Sequence, residues 1–314
     1  MTASKKPNSN SGRVTPGSLS RTLNVIGDPW SLNILRAAFQ GAQRFQDFQS
    51  LLKIPRQTLI LRLTRLTDNA ILYKSPVKHT RVVYEYHLTP KGLDLYGFIS
   101  MIWRWHRRWH MAKSILPAKL YHRNCGNSLE PVLRCSSCHE PPESASVEYQ
   151  DVSSSSVDLD KSSRRPRILN ELEQLGDDFL AAVVIGDCWS ILVLNAVLRG
   201  IENYDALQKS LSISSNVLSA RLKTLVSLNL LQQQQSTQDR RMYRYTATEK
   251  AQDIYPIILS LIHWGDRWLT GSKGPPDLLR HTTCGQLLVP ELCCTACGEK
   301  LRASEVTTRK PTGG

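Results

Sequence analysis

Apolar residues recur at helical spacing through three successive stretches near the start of the chain. In "SLNILRAAFQ", Leu32, Leu35 and Phe39 fall on one face, and Gly41 follows as a stop. "RFQDFQSLLK" repeats the spacing with Phe45, Phe48, Leu51 and Leu52. After a break at Ile54-Pro55, "RQTLILRLTRLTDNA" carries Leu59, Leu63 and Leu66 as its stripe, with Pro55 marking the start because proline suits a first helical turn. The period then shortens. "ILYKSPV" and "RVVYEYHLT" are rich in β-branched and aromatic residues around a polar "KHT", which predicts a hairpin. A long helix is expected from Pro90, with Trp105 and Trp109 one turn apart.

The whole pattern occurs twice. An offset of 159 residues relates Gly27 to Gly186, Asp28 to Asp187, Arg62 to Arg221, Trp105 to Trp264 and His122 to His281. A register kept over that distance means two copies of one module. In copy two the third helix reads "ISSNVLSARLKTLVSLNLL", where Ser214 is a natural N-cap. Helix, helix–turn–helix, two-stranded hairpin and helix make a winged helix–turn–helix. The expected fold is therefore mainly α with small β-wings, two winged helix–turn–helix domains at 18–113 and 177–272. Each is followed by a small zinc-ribbon-like cysteine cluster, at 120–141 and 279–301. Residues 1–17 and 302–314 read as disordered tails, and 142–167, rich in Ser, Pro and charge, as a flexible linker.

The clusters are "HRNCGNSLEPVLRCSSCHE" and "HTTCGQLLVPELCCTACGE", each H-x2-C-x9-C-x2-C. A C-x2-C pair lets two thiolates converge on one ion, and a His and a third Cys complete a tetrahedron. The candidate ligands are His122, Cys125, Cys135 and Cys138 for one zinc, and His281, Cys284, Cys294 and Cys297 for a second, two zinc ions per chain. Four N/S ligands leave no open position for a catalytic water, so such sites are structural. Reduced thiols in an apolar tail and a thiol redox switch are the alternatives. Cys293 and His139 are spare ligands beside the clusters. Cys188, near a helix start, is either a buried inert thiol or one activated by the helix N-terminus.

Composition narrows the partner. With 40 Lys and Arg against 27 Asp and Glu, the chain carries a formal +13, which points to an acidic partner, nucleic acid first. No apolar run is long enough to span a membrane. The polar N-terminus lacks a secretion signal, so a cytoplasmic protein is expected. No phosphate-binding glycine loop, HExxH or nucleophile–base constellation appears, so no enzyme is expected.

The stretches "GDPWSLNILRAAFQGAQRFQDFQSLL", "RVVYEYHLTPKG" and "WRWHRRW", and in copy two "GDCWSILVLNAVLRGIENYDALQKSL", "ISSNVLSARLKTL" and "HWGDRW", resemble the HxlR family of bacterial winged-helix transcriptional regulators. The resemblance covers roughly 18–113 and 177–272 and implies binding to double-stranded DNA. Family members usually hold one such domain and act as homodimers. A tandem chain looks like that dimer fused into one polypeptide, a monomeric pseudo-dimer, although a homodimer of chains is also open. Copy one departs from the family pattern at Ile60, where a small polar residue is usual; Ile60 touches a thymine methyl or belongs to the core.

A recognition helix presents polar or cationic side chains from its first turns to base edges. The candidates are Arg56, Gln57, Thr58 and Arg62 in copy one, and Ser215, Asn216, Ser219 and Arg221 in copy two. The wing tips add Lys78 and Arg81, and Arg240 and Arg241. The two heads differ in charge: residues 18–113 hold 15 basic against 5 acidic side chains, residues 177–272 hold 9 against 9. Phosphate neutralisation dominates affinity, so copy one is expected to supply most of the binding. The expected function is a sequence-specific DNA-binding transcriptional regulator with structural zinc clusters. A non-specific architectural DNA-binding protein and a thiol-based redox-sensing regulator are the alternatives.

Overall fold

The computed structural model describes residues 17–78, 82–109, 117–151, 187–235, 243–270 and 274–309. Copy one opens with α1 (Ser18–Ile26), ahead of the periodic stretches. Asp28 starts α2 (Pro29–Phe39) by accepting the Ser31 N–H at 3.1 Å, with Pro29 in the first turn. Helices α3 (Phe45–Leu52) and α4 (Arg56–Asp68) follow, and their stripes bury Phe48, Leu52, Leu59, Leu63 and Leu66. Strands β1 (Leu72–Lys78) and β2 (Val82–Leu88) pair antiparallel, Leu72 opposite Leu88. The helix expected from Pro90 is two helices, α5 (Pro90–Leu93) and α6 (Tyr96–Trp109), because α5 ends at Asp94.

Copy two repeats this order: α7 (Cys188–Leu198), α8 (Tyr204–Leu211), α9 (Ser215–Ser227), β7 (Leu231–Gln235), β8 (Tyr243–Ala247), α10 (Glu249–Gln252) and α11 (Tyr255–Trp268). Ser214 occupies the N-cap of α9, but its side chain makes no capping hydrogen bond. No helix among the described residues is long and apolar enough to cross a membrane.

The two copies share one continuous apolar core. Their seam is reciprocal. The Trp105 indole N–H donates to the Lys250 carbonyl at 2.9 Å, and Trp264 donates to the Lys91 carbonyl at 2.9 Å. Trp109 donates to Asp253 at 2.7 Å and Trp268 to Asp94 at 2.8 Å. Arg108 and Arg267 pair with those same two carboxylates. Lys91 lies over the Trp264 ring at 5.4 Å and Lys250 over Trp105 at 5.5 Å, and burial lowers both ammonium pKa values. Residue i touching j while the mate of j touches the mate of i is the signature of a two-fold interface. Here both partners belong to one polypeptide.

Helix α1 of copy one packs along α11 of copy two. The approach is close at Gly265, where an added Cβ would sit 2.4 Å from Thr22 Oγ1 and 2.7 Å from the Ser18 carbonyl oxygen. Thr22 donates to the Leu261 carbonyl across the same contact at 3.0 Å. Cys188 is 3% exposed, with its sulfur 3.5 Å from the Gly27 carbonyl oxygen. It is a buried thiol in the seam.

The cysteine clusters form interleaved strands. Copy one supplies β3 (Leu120–His122), β4 (Ser128–Leu129), β5 (Pro131–Cys135) and β6 (Val147–Asp151). Copy two supplies β9 (Asp277–His281), β10 (Gln286–Leu287), β11 (Pro290–Cys294) and β12 (Val306–Thr307). Strand β5 pairs antiparallel with β11, β6 with β9, and β12 with β3, so each tail ends in the other copy's sheet. The structure differs from the sequence pattern at two places. The stretch read as linker from 142 opens with a 3-10 turn at Ser144–Ser146 and β6, and the tail read as disordered from 302 holds a 3-10 turn at Ala303–Glu305 and β12. Short polar strands look like linker because their partners lie in the other copy. The rest of the expected linker, 152–167, and both chain ends lie outside the described residues.

Candidate DNA-reading heads and metal-ligand clusters

Helices α4 and α9 hold the candidate base-reading residues. Arg56 and Gln57 are exposed at the start of α4, and Thr58 is half-buried. The Arg56 guanidinium lies over the Phe45 ring, 5.1 Å from its centroid. Ile60 is 41% exposed and Leu61 60% exposed, so Ile60 belongs to the outer face and not to the core.

At the equivalent of Phe45, copy two has Tyr204. Its hydroxyl lies 2.7 Å from Ser215 Oγ and 2.9 Å from Ser219 Oγ, and donates to the Ser215 carbonyl at 3.0 Å. Ser215 and Ser219 are exposed yet tethered, while Asn216 is exposed beside them. One aromatic position thus presents an arginine in one head and locks two serines in the other.

Arg62 and Arg221 are placed differently from the expectation that they read bases. Arg62 Nε lies 3.0 Å from Asp28 Oδ1, with both side chains mostly buried, and Arg221 lies 2.5 Å from Asp187. The N–H groups are misaligned, so each contact is an ion pair and not a hydrogen bond. Each arginine ties its reading helix to the carboxylate that caps α2 or α7. At the wing tips, Lys78 ends β1 with its side chain outside the described part, and Arg81, Arg240 and Arg241 lie outside the described residues.

All eight candidate metal ligands converge, but not within copies. His122 and Cys125 meet Cys294 and Cys297; Cys135 and Cys138 meet His281 and Cys284. The expected grouping of each cluster on its own ion is therefore corrected. The reason lies in the strand pairing. Cys135 is opposite Pro290 and Pro131 opposite Cys294, so the ends of β5 face opposite ends of β11. Four residue steps of strand are about 14 Å. That length holds the two halves of one copy's cluster apart and sets each beside a half of the other. Cys293 and His139 stay outside both groups.

Within the groups, Cys297 Sγ is 3.3 Å from His122 Nδ1 and Cys138 Sγ 3.3 Å from His281 Nδ1. Cys135 and Cys284 sulfurs are 4.0 Å apart. Both imidazoles are 0% exposed, and their Nε2 atoms have no hydrogen-bond partner. The backbone N–H of Asn127 draws the Cys125 thiol down to about 7. At Cys297 the backbone N–H of Glu299 acts in the same direction, but desolvation with Cys294 and Cys125 alongside outweighs it and pushes that thiol up to about 11. Gly126 and Gly285, at φ +70 and +72, make the matching turns after Cys125 and Cys284.

The HxlR-like helix-turn-helix model matches residues 25–114 and again 184–273. The matches span more than half of the chain, and the chain belongs to the HxlR-like helix-turn-helix family. An uncharacterized HTH-type transcriptional regulator of Mycobacterium tuberculosis (strain CDC 1551 / Oshkosh) is 36% identical over 133 residues, 42% of this chain and 84% of that protein. An uncharacterized HTH-type transcriptional regulator of Bacillus subtilis (strain 168) is 28% identical over 86 residues, 27% of this chain and 79% of that protein. Among solved structures, a candidate transcription factor from Pseudomonas aeruginosa, PA1374, aligns with 28% identity and a TM-score of 0.29, covering 39% of this chain and 84% of that one.

Proposed function

We propose that one chain of this DNA-binding transcriptional regulator does the work of a dimer. Helices α4 and α9 enter successive major-groove faces of one duplex, and the wings follow the backbone beside them. The observation that carries this is the reciprocal seam, Trp105 on Lys250 and Trp264 on Lys91, within a single polypeptide. Two half-sites about 10 base pairs apart are the geometric expectation for a two-headed helix–turn–helix protein. They form an imperfect inverted repeat, because Arg56, Gln57 and Ile60 in one head stand where Ser215, Asn216 and Ser219 stand in the other. Copy one, with its excess of ten positive charges, supplies most of the phosphate attraction. The protein works in the bacterial cytoplasm, at the nucleoid.

The test is affinity at fixed salt for duplexes carrying both selected half-sites, one half-site, or neither. Specific regulators prefer their site by roughly 10³–10⁷-fold over unrelated DNA. A strong preference for the two-site duplex, reduced on removing either half, is expected. Equal affinity for all three duplexes would identify an architectural binder instead.

A further inference from the structure

We propose that the chain carries two metal centres, each built jointly by both copies, and that a zinc-class divalent cation in each pins one copy to the other. One centre takes His122 and Cys125 from copy one with Cys294 and Cys297 from copy two; the other takes Cys135 and Cys138 with His281 and Cys284. Each set is three thiols and one imidazole, a soft, closed donor set that suits tetrahedral zinc and leaves no open position for a substrate.

The spacings fit that ion. Bonds of about 2.3 Å to sulfur and about 2.0–2.1 Å to nitrogen give tetrahedral edges of about 3.8 Å between sulfurs and about 3.6 Å between sulfur and nitrogen. The Cys135–Cys284 sulfurs are 4.0 Å apart, and Cys138 and Cys284 lie 3.3 and 3.7 Å from His281 Nδ1. In each group the ligand atoms all fall within 4.8 Å of one another. Both histidines are fully buried with their Nδ1 turned to thiols. A cation at the centre gives those two buried Nδ1 atoms and the thiolates around them a common partner. The two groups are related by the 159-residue repeat, so the same geometry arises from two separate stretches of sequence.

The β5–β11 ladder runs between the two centres, and α6, the seam helix of copy one, packs on β5. Metal at both ends fixes the two tails as a unit beneath the seam, and its removal leaves apposed thiols on strands that belong to different copies. This inference does not depend on the DNA-binding reading, and its test contains no DNA.

The grouping is testable on the full chain by zinc stoichiometry after dialysis against a mild chelator. Wild type should retain two equivalents. Cys125→Ser with Cys297→Ser should damage one centre and leave one equivalent, whereas Cys125→Ser with Cys138→Ser should damage both and leave none. Clusters closed within copies would reverse the two results and overturn the proposal, as would a wild type without metal. A measurement on wild type covers variants that fail to fold. Chains loaded with a single zinc are briefly alkylated, and mass spectrometry of intact molecules identifies the protected thiols. The expected protected trios are Cys125, Cys294 and Cys297, or Cys135, Cys138 and Cys284. Any other trio, including Cys125 with Cys135 and Cys138, overturns the shared centres.

Discussion

The two heads share their internal frame and differ on their outer face. Asp28 with Arg62, and Asp187 with Arg221, tie the reading helix to the N-cap of α2 or α7 in the same way in both copies. Outside that frame, Phe45 supports an exposed Arg56 in one head, while Tyr204 binds Ser215 and Ser219 in the other. A charged residue near a reading helix therefore has two different jobs. Arg62 and Arg221 tie the helix down through ion pairs, and Arg56 stays exposed over the Phe45 ring.

The largest effect is expected at the shared seam. Trp105→Ala or Trp264→Ala removes a fully buried indole and its hydrogen bond to the other copy. Each should destabilise the chain by about 3–5 kcal/mol, read by chemical denaturation, and the two losses should be similar. A loss confined to one of the pair would show that the seam is not reciprocal in energy.

Arg62→Ala and Arg221→Ala come next. Leaving Asp28 or Asp187 without its ion-pair partner should cost about 1–3 kcal/mol of stability in both copies. Thermal melts read this without DNA. Unchanged stability together with loss of base preference would return these arginines to the DNA face.

Arg56→Ala is expected to weaken DNA binding by about 1–3 kcal/mol if the guanidinium meets a base edge, with little change in melting temperature. Ser215→Ala at the equivalent position should do less. Equal losses in a titration at fixed salt would remove the asymmetry between heads. Tyr204→Phe, the smallest change, releases Ser215 and Ser219 and should shift affinity by about 0.5–1.5 kcal/mol, through the copy-two half-site alone.

Much of this architecture was legible in the spacing of apolar residues. Leu59, Leu63 and Leu66 mark the buried face of α4 because a helix repeats its neighbours locally, and the 159-residue offset exposes the duplication directly. What depends on partners far along the chain was not legible. Strand β12 has two residues and exists by pairing with β3, and β6 exists by pairing with β9. The eight ligands were visible as residue types, but which four meet is decided by the β5–β11 register. Arg62 looks the same in sequence whether it faces a base or the Asp28 carboxylate. The exchange of an arginine platform at Phe45 for a serine tether at Tyr204 also left a trace, since Phe45 and Tyr204 are repeat mates that differ by one hydroxyl.

If both heads belong to one particle, a single chain suffices for a two-site duplex. Light scattering of the protein alone, and of its complex with a duplex holding both half-sites, measures this directly. The expected result is the mass of one chain, 35.4 kDa, in the absence of DNA, and one chain per duplex at saturation. Two chains per particle across the accessible concentration range, with or without DNA, would contradict it.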